Sequence, residues 1–114
     1  MSDNHVVVIT TTDSEEAAGE LARAVVEARL AACVQVGAPV RSVYRWDGEV
    51  RDDREWQLWI KTAYDRAAEL TDFLTARHSY DTPEVLVLPV LGGNPDYLAW
   101  LTEETRPTPP HRTP

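Results

Sequence analysis

An α+β domain is predicted by two kinds of pattern that alternate along the 114-residue chain. Continuous β-branched and valine-rich runs indicate strands, and apolar residues spaced three or four positions apart indicate helices. A third observation is the pair Asp47-Gly48 between two long strand-like runs, which is typical of a hairpin turn. We therefore expect one domain over residues 1–106, followed by a proline-rich, flexible tail over residues 107–114.

The first predicted strand is the apolar run Val6 to Ile9, which three threonines extend. Because the run does not alternate with polar residues, both of its faces should be covered, and the strand should lie centrally in its sheet. A helix should follow, with Asp13 as N-cap and Glu16 completing a capping-box spacing. Its packed face, through about residue 29, is expected to contain Ala17, Leu21, Ala24, Val25 and Ala28.

The long hairpin is predicted from Leu30 to Thr62, with its turn at Asp47-Gly48. A type I′ turn needs positive φ at both central residues, which Asp-Gly accepts. Strands of more than a dozen residues exceed the usual five or six, so the distal part, residues 41–54, should project beyond the domain. One small monomer cannot cover that strand and aromatic surface, so the hairpin predicts an oligomer.

The rest of the chain predicts a helix, a strand and a last helix. The second helix should begin near Asp65, with Ala67, Leu70, Phe73 and Leu74 as its apolar residues. The fourth strand is predicted over Glu84 to Leu91. Asn94 and Pro95 are then the N-cap and first-turn proline expected for a C-terminal helix.

This order of elements, β-α-β-β-α-β with an extra C-terminal helix, is that of a ferredoxin-like sandwich with an extended hairpin between its second and third strands. That fold has the strand order 4-1-3-2, in which the second and fourth strands are edges. Proline cannot donate to a strand ladder and is tolerated mainly at edges. Pro39 and Pro89 fall in the two predicted edge strands, which supports the topology.

Charge and composition argue against several classes of partner and location. The net charge of −8 and the absence of a Lys/Arg cluster argue against nucleic acid as a partner. Cys33 is the only cysteine, so no internal disulfide can form. The run Val6 to Ile9 is too short for a signal or membrane segment, which predicts a cytoplasmic protein with no membrane partner.

Few residues of this sequence are candidates for a catalytic or ligand-binding role. Cys33 stands among small apolar residues, which is more typical of a core cysteine than of a nucleophile. His78 precedes Tyr80, Asp81 and Glu84 in a segment between helix and strand, and either a binding role or an ordinary helix end fits it. A hydrolase that pairs Cys33 with His78 is the weakest alternative, because nothing in the sequence brings the two within hydrogen-bond reach.

Lys61 and the hairpin tryptophans indicate contacts beyond one chain. A lysine in an apolar strand needs a counter-charge or an anionic ligand. Glu55 shares its strand parity but lies about 20 Å away at strand rise, so a partner must come from elsewhere in the fold or from another subunit. Trp46, Trp56 and Trp59 all belong to the hairpin, where subunit packing explains them better than a stacking site for sugars or nucleotides.

Several blocks together resemble the CutA divalent-cation tolerance family. They are Arg29-Leu30-Ala31-Ala32-Cys33-Val34, Ser42-Val43-Tyr44-Arg45-Trp46-Asp47-Gly48, Ile60-Lys61-Thr62, His78-Ser79-Tyr80-Asp81-Thr82-Pro83-Glu84 and Tyr97-Leu98-Ala99-Trp100. The resemblance implies a ferredoxin-like subunit, a homotrimer similar in assembly to PII signalling proteins, and a role in tolerance of divalent metal ions. It implies no reaction and no required cofactor.

The resemblance also implies roles for individual residues. His78 and Cys33 match positions implied to bind a metal such as Cu(II), although Thr10 and Arg77 replace a cysteine and a histidine of a copper-assigned relative, so copper binding should be weak. The inter-subunit cleft is implied to contain Glu55, Lys61, Tyr80 and Glu84, and the trimer interface Tyr44, Trp46 and Trp56. The alternative function is a PII-like trimeric sensor that binds a small anionic ligand in that cleft near Lys61, His78 and Tyr80.

Overall fold

A computed structural model describes residues 4–107 of the chain. Five strands and three helices form an α+β domain, as the sequence predicts. In chain order they are β1 (His5–Thr12), α1 (Glu15–Glu27), β2 (Cys33–Val36), β3 (Val40–Trp46), β4 (Glu49–Ala63), a 3-10 turn (Tyr64–Arg66), α2 (Ala67–Arg77), β5 (Val85–Val90) and α3 (Pro95–Glu104). The predicted tail lies outside the described residues, apart from Pro107.

The sheet has the order β2-β4-β1-β5, and every neighbouring pair is antiparallel. This is the predicted 4-1-3-2 order, because β4 and β5 are the third and fourth strands of the sequence pattern. The apolar strand β1 is central, and β5, which contains Pro89, is an edge. The ferredoxin-like prediction is confirmed.

The second predicted strand is divided, and Pro39 lies in the break rather than within a strand. Val36 is opposite Leu58 and Val40 is opposite Glu55, so three residues of this segment stand opposite two of β4. An extra residue in one strand moves every later side chain of that strand to the opposite face of the sheet. Proline fits the break because it has no N–H to leave unpaired.

The hairpin turn is confirmed at Asp47-Gly48. Both residues have positive φ, 53° and 79°, and Trp46 pairs with Glu49 across them. We call the two paired segments Val40–Trp46 and 49–55 the arm. The arm extends the molecule to 57 × 30 × 22 Å, with a radius of gyration of 15.5 Å. A compact chain of about 100 residues has a radius near 13 Å, so the arm projects as predicted.

Helix α1 differs from the prediction at both ends. Ser14, not Asp13, is the N-cap, because its hydroxyl accepts a hydrogen bond from the Ala17 amide. The helix ends at Glu27, and Arg29 turns the chain with a φ of 59°. The amide of Leu30 then donates to the carbonyl of Val25, which closes the helix end as in a Schellman motif.

One face of the sheet carries the hydrophobic core. Even-numbered residues of β1 and β4 point toward α1 and α2, and the fully enclosed set includes Val8, Val25, Leu58, Ile60, Leu70 and Leu74. On α1 the buried residues are Ala18, Leu21 and Val25, so the predicted face is displaced slightly. Its predicted member Ala28 is exposed.

The opposite face, which we call the open face, carries the odd-numbered residues of β1 and β4. Helix α3 covers only its end near His5 and Lys61, since His5 hydrogen-bonds Thr102 at 2.8 Å. Asn94 caps α3 with Pro95 in its first turn, as predicted. At the other end of the face, Thr11 lies beside the segment between α2 and β5 and is buried. Between these two ends, Trp59, Leu86 and Leu88 are partly exposed.

Candidate functional site

A cavity of about 770 Å³ lies between the base of the arm and the segment that joins α2 to β5. We call it the arm pocket. Strand β3 and the α2–β5 segment form its walls, and β1 and β4 form its floor. Its lining residues are Thr11, Ser42, Val43, Tyr44, Arg45, Trp46, Glu55, Tyr80, Asp81, Thr82, Pro83 and Glu84.

Three of the four predicted cleft residues meet in this pocket. The phenol hydroxyl of Tyr80 donates a 3.0 Å hydrogen bond to Oε2 of Glu55. Glu84 lines the same pocket and is close enough to Glu55 for their charges to interact. The structure therefore places Glu55, Tyr80 and Glu84 together.

Lys61 does not join them within one subunit. It lies six residues from Glu55 on β4, and its Nζ is 5.9 Å from the centre of the Tyr97 ring on α3. Equal parity puts Lys61 and Glu55 on one face of the strand, but the strand rise puts them at opposite ends of that face. The prediction that Lys61 shares a cleft with Glu55 requires a second subunit.

His78 positions Tyr80 at the pocket. Its Nε2 lies 2.6 Å from the carbonyl oxygen of Thr11, and its Nδ1 accepts a 3.0 Å bond from the Tyr80 amide. A carbonyl only accepts, so this arrangement requires the tautomer with the proton on Nε2. The His78 and Tyr80 rings also contact each other, with centroids 4.7 Å apart. The chain turns here after α2, and the imidazole fixes that turn to the central strand.

The pocket shifts the acidity of its own residues. Partial burial raises the pKa of Glu84, and the nearby Glu55 carboxylate raises it further. Burial also raises the pKa of the Tyr80 phenol, with the hydrogen bond to Glu55 as the next cause. Both shifts favour the protonated form of the side chain, so the pocket disfavours additional negative charge.

The two predicted metal ligands are far apart. Cys33 is opposite Lys61, which is opposite Val7, whereas His78 binds the carbonyl of Thr11. Val7 and Thr11 alone are separated by roughly 13 Å of strand. This separation also removes the basis for a Cys33–His78 catalytic pair.

The surroundings of His78 do not suit a metal centre either. Both of its ring nitrogens already have partners, the Thr11 carbonyl and the Tyr80 amide. Residues 4–107 contain no group of three His, Cys, Asp or Glu side chains that could hold a metal ion. Within one chain, residues 4–107 therefore do not fit a copper centre.

The predicted interface residues divide into two groups. Tyr44 and Trp46 are exposed on the arm, as the interface prediction requires. Trp56 is instead half-buried and packs against the core of its own chain. Trp56 has an even number, as Leu58 and Ile60 do, and so lies on the core face of β4. Trp59 has an odd number and lies on the open face. Residue parity in the sequence is therefore the signal that distinguishes the two.

Sequence reasoning missed part of the pocket. Tyr44 was predicted only as an interface residue, but it lines the pocket and its hydroxyl bonds the carboxylate of Asp53. Asp53 is opposite Ser42 on the arm, so it is a diagonal cross-strand neighbour of Tyr44. A hairpin register counted outward from Asp47-Gly48 would have placed the two residues together. Thr11 was also missed, and it reaches the pocket because β1 ends beneath the arm.

In the part of the chain that the structure describes, no helix is long and apolar enough to cross a membrane.

The strand order, the projecting arm and the pocket at its base define a class of protein, a ferredoxin-like domain with an extended hairpin. The family model for the CutA1 divalent ion tolerance protein matches residues 6–104. The chain belongs to this family.

Individual relatives agree with the family model. The divalent-cation tolerance protein CutA of Thermus thermophilus is 46% identical over 99 residues, which cover 87% of this chain and 96% of the relative. The chloroplastic protein CutA of Arabidopsis thaliana is 44% identical over 101 residues, or 89% of this chain. The chain spans only 56% of that longer relative.

Solved structures show the same fold. The crystal structure of CutA1 from Oryza sativa has a TM-score of 0.87 at 43% identity, with 90% of this chain and 94% of that chain covered. The Thermus thermophilus protein has a TM-score of 0.86 at 44% identity, with coverage of 90% and 99%.

Proposed function

We propose that this chain forms a homotrimer that acts in the response to divalent metal ions. The metal part of the proposal is supported by membership of the CutA1 divalent ion tolerance family. The proposal includes a cytoplasmic location, no catalytic step and no required cofactor. The observation that supports assembly most strongly is the apolar open face of the sheet.

The open face exposes several large apolar side chains on neighbouring strands. Trp59, Leu86 and Leu88 are 41%, 54% and 37% exposed, and they lie on strands that flank β1. Ile9 lies between these strands, opposite both Trp59 and Leu86, and is itself buried. Contiguous exposed apolar residues of this kind mark protein–protein contacts. A second and third copy of the chain are the partners that the family resemblance implies.

The arm supplies a second contact surface. Tyr44 and Trp46 are 39% and 50% exposed, and large aromatic residues are enriched at the centres of interfaces. The unpaired outer edge of β3 also offers backbone groups for pairing, since within residues 4–107 this strand pairs only with β4. In this proposal the arm reaches from one subunit to the next.

Metal binding in this proposal is weak and does not depend on a centre within one subunit. The net charge of −8 attracts cations to the surface without holding them in one geometry. Binding of Cu(II) by His78 would require the ring to give up its bond to the Tyr80 amide or to the Thr11 carbonyl. That cost is the physical reason to expect low affinity.

Light scattering with and without Cu(II) tests the assembly. We expect a mass of about 38 kDa, three times the 12.8 kDa of one chain, in both conditions. A monomer would contradict the proposal, and a trimer that forms only with metal would contradict its claim that assembly does not need copper.

Native mass spectrometry of the wild type and of His78→Ala then tests the metal ligand. Copper binding that is undiminished in the variant would exclude His78.

The arm pocket supports a second candidate function, a trimeric sensor that binds a small molecule where subunits meet. The pocket lies beside the open face, because Thr11 and Glu55 belong to its odd-numbered residues, and so it would border a subunit contact. Its volume is in the range of known small-molecule sites, about 300–1,000 Å³. A thermal-shift screen of small anions and cations tests this candidate, because a ligand that binds only the folded form raises its stability. If a second subunit brings Lys61 to the pocket, an anion that stabilises the wild type should not stabilise Lys61→Ala. A screen without any stabiliser would contradict the candidate.

A further inference from the structure

The two faces of the arm carry opposite charges. Residues that pair directly across two strands share a face, and alternate residues of one strand lie on opposite faces. The register of the arm therefore divides its charged residues into two sets. The side that continues the open face contains Glu49, Arg51, Asp53 and Glu55, and the other side contains Arg41, Arg45, Asp52 and Arg54. We call this second side, which carries three arginines and one carboxylate, the basic face.

Two arginines of the basic face lie directly opposite each other. Arg41 is paired with Arg54 across the strands, and like charges at directly opposed positions destabilise a sheet. The charge of Arg41 is balanced by Asp52, which accepts hydrogen bonds from its Nε and Nη2 at 2.9 and 2.6 Å. Arg45 and Arg54 form no ion pair within residues 4–107. These two guanidinium groups are therefore available to carboxylates outside the single chain.

Exposed valines lie among these arginines. Val43 and Val50 are 62% and 66% exposed, and Val50 is directly opposite Arg45. All basic residues of the arm are arginines, and the arm has no lysine. Arginine is enriched at protein–protein interfaces, whereas lysine is depleted there. The basic face therefore has the composition of a surface that contacts another protein.

The rest of the chain supplies the complementary charge. Residues 1–39 and 56–114, which we call the body, contain 7 basic and 14 acidic residues and have a net charge of −7. Copies with this charge repel each other unless opposite charges meet where they touch. The basic face supplies such charges, because it is positive in a negative molecule. The same acidic body repels nucleic acid, so a second copy is the partner that the charges favour.

We propose that the basic face of the arm docks on the acidic body of a neighbouring copy in the trimer, with Arg45 and Arg54 paired to carboxylates of that copy. This inference rests on the proposed assembly and adds the face of the arm opposite to Tyr44 and Trp46. The arm is then enclosed on both faces, through aromatic contacts on one and ion pairs on the other. Because arm and body are different surfaces, the contact is head-to-tail, and a ring of three copies satisfies it in every copy.

Zero-length cross-linking with a carbodiimide tests which charges meet. The reagent joins an amine to a carboxylate that touches it, and Lys61 is the only lysine of the sequence, so few other amines compete. Arg45→Lys and Arg54→Lys keep the positive charge and each add one amine. We expect a cross-linked species of about 26 kDa, twice the 12.8 kDa of one chain, on a denaturing gel. Peptide mass spectrometry should locate the link between position 45 or 54 of one chain and a carboxylate of another.

Arg23→Lys is the matched control, because Arg23 is exposed on α1 and outside the arm. This variant and the wild type should not form the new species. If Arg45→Lys and Arg54→Lys form trimers in which the added amine links only within its own chain, or not at all, the inference is wrong and the trimer stands.

Charge reversal measures what the contact contributes to assembly. Arg54→Glu turns attraction to the neighbouring body into repulsion and should raise the concentration of half-dissociation by about tenfold or more. Within one chain the same substitution replaces a like-charge pair with an ion pair to Arg41, so it should not weaken the arm itself. Sedimentation over a dilution series, at one fixed guanidinium concentration below unfolding, measures the change. Arg23→Glu makes the same change of charge on α1, and equal effects of the two variants would overturn the inference.

Two further outcomes separate this inference from the assembly on which it rests. A wild type that is monomeric in light scattering contradicts both. A polyanion as the partner is tested by fluorescence anisotropy with a labelled single-stranded oligonucleotide of thymidine, for which we expect no binding at physiological ionic strength. Binding that Arg54→Glu abolishes would assign the basic face to a polyanion and overturn its assignment to a second copy.

Discussion

The hydroxyl of Tyr80 donates a 3.0 Å hydrogen bond to the carboxylate of Glu55, and this bond joins the α2–β5 segment to the base of the arm. The two residues are 25 positions apart and belong to different elements. Tyr80 itself is positioned by His78, whose Nδ1 accepts a hydrogen bond from the Tyr80 amide. The pocket wall therefore depends on a chain of contacts from Thr11 in the central strand through His78 to Tyr80.

Removing this hydroxyl should lower stability. Tyr80→Phe leaves the half-buried Glu55 carboxylate without its donor, and we expect a loss of about 1 kcal/mol in the free energy of unfolding. Guanidinium unfolding at fixed protein concentration measures it. Tyr64→Phe is the matched control, because Tyr64 is 54% exposed and should change stability little. Equal effects of the two substitutions would mean that the Tyr80–Glu55 bond does not stabilise the fold.

Replacing Glu84 should change how stability depends on pH. Partial burial and Glu55 raise the pKa of Glu84 in the folded state, so the folded protein holds this proton more tightly than the unfolded chain does. The stability contributed by the protonated group is present below the ordinary glutamate pKa of about 4.3 and is lost as pH rises through the higher folded pKa. Glutamine cannot ionise, so Glu84→Gln has no such loss of stability as the pH rises.

We therefore expect Glu84→Gln to be close to the wild type in stability at acidic pH and more stable at neutral pH. The gain should be below about 1 kcal/mol, since Glu84 is accessible to solvent, which screens the charge of Glu55. Thermal unfolding across the acidic and neutral range measures the difference. Glu103→Gln controls for the change in net charge, and a neutral-pH gain no larger than in that control would contradict the prediction.

Two glycines should respond to alanine with opposite signs. Gly48 has a φ of +79° in the hairpin turn, where a Cβ is strained, so Gly48→Ala should destabilise the arm by about 1 kcal/mol. Gly19 lies within α1, and a Cβ added there would have no other atom within 4 Å, so Gly19→Ala should stabilise by about 0.5–1 kcal/mol. Amide hydrogen exchange in the arm measures the effect of Gly48→Ala, and the midpoint of unfolding measures the effect of Gly19→Ala. A shift of the same sign in both variants would argue against these backbone roles.

A charge on the open face should disrupt assembly. Trp59→Glu places a carboxylate beside Ile9 and near Leu86, where a subunit interface would have to bury it unpaired. Sedimentation or light scattering should show a fall from trimer toward monomer. Val26→Glu is the control, because Val26 is 40% exposed on α1, away from the open face. A Trp59→Glu variant that remains fully trimeric would exclude the open face as the contact.

Much of the fold could be predicted because its signals are local. The apolar run of β1, the Asp47-Gly48 turn and the Asn94-Pro95 helix start each act over a few residues, and each occurs where the pattern indicates. The capping of α1 was wrong by one residue, since Asp13 and Ser14 are both good caps and only the backbone geometry selects Ser14. The division of the second strand at Pro39 was missed because a strand with one extra residue looks continuous in sequence.

The candidate site depends on relationships that no local pattern contains. Local patterns were enough to predict the class of fold, the projecting arm and the presence of Tyr80 and Glu84 in a segment suited to binding. Three-dimensional packing was needed to show that Tyr80 meets Glu55, that Lys61 lies near Tyr97 instead, and that His78 is separated from Cys33. Turns and periodicity follow from neighbouring residues, whereas these contacts depend on strand register and on which sheet face each side chain occupies.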